Sequence, residues 1–169
     1  GEGILVEGNV GLGHRRLAIV DRSSNGSQPM TARKALNTVV FNGEIYNYLE
    51  LRRDLEARGA TFRTQSDTEV LLQAWAEDGA SCLSRLNGMF AFAIHDARTQ
   101  QLCLARDRFG VKPLHYMMLA DGSVAFSSEL KGLLANPAVR REPDVRAVED
   151  YMAFGYVPDD ACIVAGVQK

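Results

Sequence analysis

Cysteine is scarce. The three present, Cys82, Cys103 and Cys162, are widely spaced and fall in no CxxC or Cys/His pattern, which argues against both a disulfide framework and a zinc site. A reducing, cytosolic setting fits that usage. No apolar run approaches the ~18 residues that a bilayer-spanning helix needs. Charge of one sign is lacking too: 19 Lys and Arg stand against 21 Asp and Glu, interspersed, for a net charge of −2. That excludes the electrostatic footprint of a nucleic-acid or anionic-membrane binder. Internal repeats and low-complexity tracts are absent. What is there is an ordinary globular composition, 46% hydrophobic and 24% charged over 169 residues, enough for one substantial core and a short extension. The opening Gly1-Glu2-Gly3-Ile4 has no initiator methionine and the C-terminus stops in mid-pattern, so the chain reads as cut from something longer.

Strand and helix patterns alternate along the chain. "GILVEGNVGLGHRRLAIVD" predicts a hairpin of two strands, around residues 3–7 and 12–20, turning at Gly8-Asn9. Gly8, Gly11 and Gly13 do not fit GxGxxG and no helix follows them, so they do not make a phosphate-binding loop. "DRSSNGSQPMTARKA" reads as an exposed polar loop. The β-branched run Val39-Val40-Phe41 predicts a buried strand that breaks into Asn42-Gly43-Glu44. Asn47-Tyr48-Leu49-Glu50 has the form of a capping box, with Tyr48, Leu51 and Leu55 as an apolar face and Gly59 at the helix end. Ser66-Asp67-Thr68-Glu69 opens a second helix carrying Val70, Leu71, Ala74 and Trp75 and ending near Gly79. Cys82, Leu83 and Leu86 continue as a short helical turn.

In "GMFAFAIHD" both alternating sets, Phe90/Phe92/Ile94 and Met89/Ala91/Ala93, are apolar, which predicts a strand covered on both faces. "QLCLARD" and "GSVAFSSE" predict further strands with "RFGVKPLHY" between them, then a helix over 128–134. A last helix starts at Asp144 and runs through Tyr151, and "FGYVPDDACIVAGVQK" leads away from it. Strands at both ends, helices in the middle and a doubly buried strand point to an α+β fold of two stacked sheets with helix layers outside.

The blocks "GHRRLAIVD", "FNGEIYN", "SDTEVLL", "LNGMFAFAIHD", "ARDRFGVKPLHY", "FSSELKGLL" and "FGYVP" occur in that order. Together they resemble the N-terminal glutaminase domain of the glutamine-hydrolysing asparagine synthetase family, class II glutamine amidotransferases. The resemblance covers essentially the whole chain. It implies the N-terminal-nucleophile hydrolase fold, a four-layer αββα sandwich of mainly antiparallel sheets. It also implies residues 1–142 as the amidotransferase domain and 143–169 as a helix and linker toward a synthetase domain outside this chain. Such proteins hydrolyse glutamine and pass the ammonia to that domain, where aspartate is activated with ATP and magnesium. ATP and magnesium are therefore expected there, and no cofactor or metal in this domain.

Glutamine carries a carboxylate, an ammonium and an amide whose carbonyl becomes an oxyanion on attack, so its site needs a cation, an anion and hydrogen-bond donors. By the resemblance Arg16 supplies the carboxylate partner, with the bidentate fork suited to it, and Leu17, Ala18, Ile19 and Val20 line the same pocket. Asn42 and Gly43 supply a side-chain amide and an unobstructed backbone N–H to the oxyanion. Read alone, the same dipeptide is a turn signal. Glu44 and Asp67 become the acids for the ammonium, although Asp67 also suits the first turn of any helix.

The family's nucleophile is a cysteine with a free α-amine as its base. Cys82, Cys103 and Cys162 are internal and read as small core residues. The nucleophile segment is expected a few tens of residues upstream of Gly1, which leaves the chain as given inactive. His14, His95 and His115 match no catalytic position, and Arg106, Asp107 and Arg108 read as structural. Expected partners are L-glutamine and the synthetase domain, with a homo-oligomer left open. Alternatives are a related synthetase amidating another carboxylate, or a non-catalytic glutamine-binding or scaffold relative.

Overall fold

A computed structural model describes residues 1–15, 26–32, 36–158 and 161–169. The chain divides into two compact units, Gly1–Asp107 and Arg108–Lys169.

The apolar run that begins at Thr38 builds the strand on which the first unit is organised. This strand belongs to a four-stranded antiparallel sheet of β3 (Met30–Ala32), β4 (Asn37–Ile45), β5 (Gly88–Asp96) and β6 (Gln101–Arg106), ordered β3-β4-β5-β6. Preceding it, β1 (Glu2–Glu7) and β2 (Val10–Arg15) form the expected hairpin, with Gly8 at φ +58° in its turn. Alternation sends Val39, Phe41 and Ile45 of β4, and Phe90, Phe92 and Ile94 of β5, into one core with the helices α1 (Tyr48–Ala57) and α2 (Asp67–Asp78). Leu51 and Leu55 of α1 and Val70, Leu71, Leu72 and Ala74 of α2 complete it. Each Val, Leu, Ile or Phe side chain among these, fully buried, contributes roughly 1.5–3 kcal/mol. The Arg58, Arg85, Asp54 and Asp78 ion pairs at the outer helix ends lie in water and contribute far less. Ala91 and Ala93, on the opposite face of β5, are buried as well, as the two apolar sets required.

Both helix starts were legible, but they are built differently. Ser66 Oγ accepts from the Thr68 N–H at 3.1 Å, an N-cap bond. Asn47 makes no such bond; its side chain donates to the Arg85 carbonyl at 2.9 Å and accepts from the Asn87 N–H at 3.0 Å, tying α1 to the residues before β5. The 3-10 turn Gly79–Arg85 follows α2 and buries Cys82.

In the second unit β7 (His115–Met118) and β8 (Val124–Ser127) form a hairpin, and α3 (Leu130–Leu134) and α4 (Val145–Phe154) follow. Asp144 caps α4 through the Ala147 N–H at 3.1 Å, and Gly155 at φ +78° ends it. The strand β7 begins at His115, within the segment read as a connection, and runs past its end to Met118. The C-terminal run turns back rather than leading away. Gln168 exchanges two 2.9 Å backbone bonds with Tyr116, Asp144 N–H donates to the Ile163 carbonyl at 2.9 Å, and Val164 and Val167 join Leu133 and Val139 in a core. The expected boundary at 142–143 thus falls inside this unit.

Candidate active site

β4 pairs with β5 over its full length, from Asn37↔Asp96 to Ile45↔Gly88, but with β3 only over residues 37–39. Beyond that point, among the described residues, side chains rather than a strand meet its other edge. The Phe41 N–H donates to Gln28 Oε1 at 2.6 Å, and the Ile45 N–H donates to Asp67 Oδ2 at 3.1 Å. The Phe41 carbonyl accepts from His14 Nε2 at 2.9 Å, which places a proton on that nitrogen. Alternation turns every second N–H of a strand to the same edge, so the Gly43 N–H points there too, between the two anchored ones.

Asn42 and Gly43 therefore sit inside a strand and not in a turn, which overturns the turn reading of the dipeptide. Gly43 has φ +152°, a conformation L side chains rarely adopt, and a Cβ on it would run into the Met89 carbonyl oxygen and lie 2.7 Å from Phe90 Cα. Gly88, across the ladder, shares only the steric restriction: its Cβ would run into the Glu44 carbonyl oxygen and lie 3.0 Å from Ile45 Cα. Two glycines thus permit a close backbone approach under residues 43–45.

Asp67 arrives from α2. The Ser66 cap starts that helix, and Asp67 in its first turn is only 6% exposed. Burial pushes its carboxyl above the ordinary carboxylate range, and the charge of Glu44 pushes the same way. Bonds from the Ile45 and Thr68 N–H groups pull in the opposite direction. Its neighbour Glu69 does not close a capping box. Both its oxygens accept from the Arg63 N–H, and one also takes the Thr64 N–H and hydroxyl, each at 2.7 Å, so that acid orders the loop before α2.

Of the residues expected to bind glutamine, Asn42, Gly43 and Glu44 are consecutive in β4, and Asp67 is bonded to the next residue, Ile45. Arg16, Leu17, Ala18, Ile19 and Val20 lie outside the described residues. The arrangement brings a half-buried amide, the backbone N–H of a glycine and a buried acid together along residues 42–45 of β4. Sequence reasoning missed Gln28, which is buried at 6% exposure within the segment read as an exposed loop; a lone amide in a polar stretch carries no periodic signal. Asp107 has the structural role expected of it, its carboxylate accepting from the Phe90 N–H at 3.1 Å. Among the described residues no three His, Cys, Asp or Glu lie together as a metal site, and no helix is long and apolar enough to cross a membrane.

Comparisons with known proteins identify the family. The family model described as "Glutamine amidotransferase domain" matches residues 1–169. The chain is 44% identical over 169 residues to asparagine synthetase [glutamine-hydrolyzing] 1 of Bacillus subtilis, covering 99% of this chain and 26% of that protein. It is 44% identical over 122 residues to asparagine synthetase [glutamine-hydrolyzing] 3 of Arabidopsis thaliana, covering 72% of this chain and 21% of that protein. It therefore spans about a quarter of the length of these relatives. Among solved structures, glutamine phosphoribosylpyrophosphate amidotransferase of Bacillus subtilis is similar, with a TM-score of 0.60 and 30% identity over 73% of this chain and 28% of that one. The fold is that of the N-terminal-nucleophile hydrolases, α+β with antiparallel sheets. On the match over its whole length, the chain belongs to the glutamine amidotransferase domain family.

Proposed function

We propose that this domain binds L-glutamine along residues 42–45 of β4 and releases its side-chain nitrogen as ammonia for the amidation of aspartate by an ATP- and magnesium-dependent synthetase domain. The observation that carries the reading is the linkage of residues 42–44 to Asp67 through the 3.1 Å bond from Ile45. Asn42 and the Gly43 N–H donate to the amide oxygen as it becomes an oxyanion. Asp67, with Glu44 near it, takes the α-ammonium, and Arg16 with residues 17–20 takes the α-carboxylate. The names of the relatives support aspartate as the acceptor.

None of the chain's own cysteines serves as nucleophile. Cys82 is buried, and burial pushes its thiol up to about 11, while burial also raises Cys103. Cys162 is buried in the second unit's core. A thiol in such surroundings is inert. The nucleophile, a cysteine bearing a free α-amine, comes from outside these 169 residues, and the chain by itself turns over no glutamine. The test is glutamate release from glutamine by this chain and by the same chain extended to begin at such a cysteine. The extended protein is expected to be active and the present one inert; turnover by the purified present chain contradicts the reading.

A further inference from the structure

We propose that Gln28 is a positioning residue that locks the oxyanion strand to the ammonium-binding helix. The inference rests on the glutamine-pocket reading and adds to it a residue that touches no substrate atom.

The geometry fixes the role of each atom. The Phe41 N–H is a donor, so the Gln28 atom that meets it at 2.6 Å is the carbonyl Oε1. The amide nitrogen then faces the other way and donates to Thr68 Oγ1 at 3.4 Å. Both end residues are buried, Gln28 at 6% and Thr68 at 2% exposure. One amide thus joins the residue immediately before Asn42 to the residue immediately after Asp67. The Ile45 bond to Asp67 closes the other side, so residues 42–44 are held between two anchors, and both lead to the first turn of α2.

The consequence is mechanical. A small rotation of the Phe41 peptide re-aims the Asn42 side chain and the Gly43 N–H. Gln28 holds the Phe41 N–H at 2.6 Å and His14 holds the carbonyl of the same residue at 2.9 Å, and together they restrain that rotation. The oxyanion donors and the ammonium acid therefore keep one spacing. Misplacement of a binding group by about 1 Å can cost as much as ~100-fold.

The experiment is calorimetric titration of the 169-residue chain with L-glutamine, in the wild type, Gln28→Met and Thr68→Val, each at a temperature where its melt shows it fully folded. Gln28→Met keeps the side-chain length and removes both polar atoms. Thr68→Val keeps the shape and cuts only the link to α2. Glutamine binding is expected to weaken about tenfold or more in Gln28→Met and several-fold in Thr68→Val, with the folded fraction unchanged. If Gln28→Met does not fold, Thr68→Val decides alone. Wild-type affinity in a folded variant overturns the positioning role while leaving the pocket in place. A wild-type chain that does not bind glutamine overturns the pocket, and the proposal with it.

Discussion

The backbone N–H of Ile45 donates to the Asp67 carboxylate at 3.1 Å, fastening the end of β4 to the start of α2 across 22 residues of sequence. The carboxylate that makes this bond is buried beside a second acid, Glu44, and its charged form is disfavoured there. An ion held in such a place stabilises a cationic ligand more than it stabilises the fold.

Replacing Asp67 by Asn separates those two roles. The Asn Oδ1 still accepts from Ile45, so the strand-to-helix link survives, while the disfavoured charge is removed. Thermal melting is expected to stay level or rise. Glutamine binding is expected to weaken by roughly 2–5 kcal/mol, the usual cost of leaving a desolvated charge unpaired, against a helix-dipole loss below ~1 kcal/mol. Titration calorimetry beside thermal melts reads both; normal binding with a lower melting point makes Asp67 a helix-start residue only.

The pH dependence follows from the same carboxyl. Its folded pKa lies above its unfolded value, so between the two the folded chain holds more protons, and Asp67's contribution to stability falls as pH rises through that window. The ammonium of glutamine favours the ionised form. Affinity is therefore expected to fall as pH drops through the raised pKa, with proton release on binding in that range. Calorimetry in buffers of differing ionisation heat measures this, and affinity that rises on acidification contradicts it.

Glycine substitutions test the close approach of β4 and β5. Gly43→Ala combines a disfavoured φ of +152° with collision against the Met89 carbonyl, and Gly88→Ala collides with the Glu44 carbonyl without any φ penalty. Backbone strain of this kind costs about 1–3 kcal/mol, and a collision that shifts backbone adds a similar amount. Gly11→Ala, where a Cβ meets nothing within 4 Å, is the control and is expected to be neutral or slightly stabilising. Denaturant melts of the three variants are the measurement; equal stability of all three removes the close approach from the account.

The places where sequence reasoning worked are those where local chemistry and tertiary context agree. Ser66 caps α2 as written, and the two apolar faces of β5 are buried because that strand has packing on both sides. It failed where a distant partner takes over a local signal. Asn47 and Glu50 have capping-box spacing, but Asn47 is drawn to Arg85 and Asn87. Asn42-Gly43 has turn chemistry, but the ladder to Ala91 and Phe90 keeps it extended. Gln28 is polar and surrounded by turn formers, and its distant partners, the Phe41 N–H of β4 and the Thr68 hydroxyl of α2, give its amide a reason to be buried. The expectation that Asn42, Gly43 and Asp67 serve one site came through the ordered family blocks; their mutual fastening was not legible, because it depends on contacts far apart in sequence.

The buried thiol of Cys82 gives a prediction independent of glutamine. With its pKa near 11, only about one molecule in a thousand carries the thiolate at pH 8. Alkylation by iodoacetamide is expected to be slow in the folded chain and fast in denaturant, and Cys82→Ala is expected to leave glutamine binding unchanged. Rapid labelling of native Cys82 contradicts its assignment to the core.

If the β4 edge and the start of α2 form one glutamine pocket, amide chemical-shift mapping of the isotopically labelled chain will show it. Addition of L-glutamine is predicted to shift the backbone signals of Asn42, Gly43, Ile45 and Asp67 together, along one saturation curve, while those of β7 and β8 stay in place. Saturable shifts elsewhere with residues 42–45 and 67 unmoved would contradict the account.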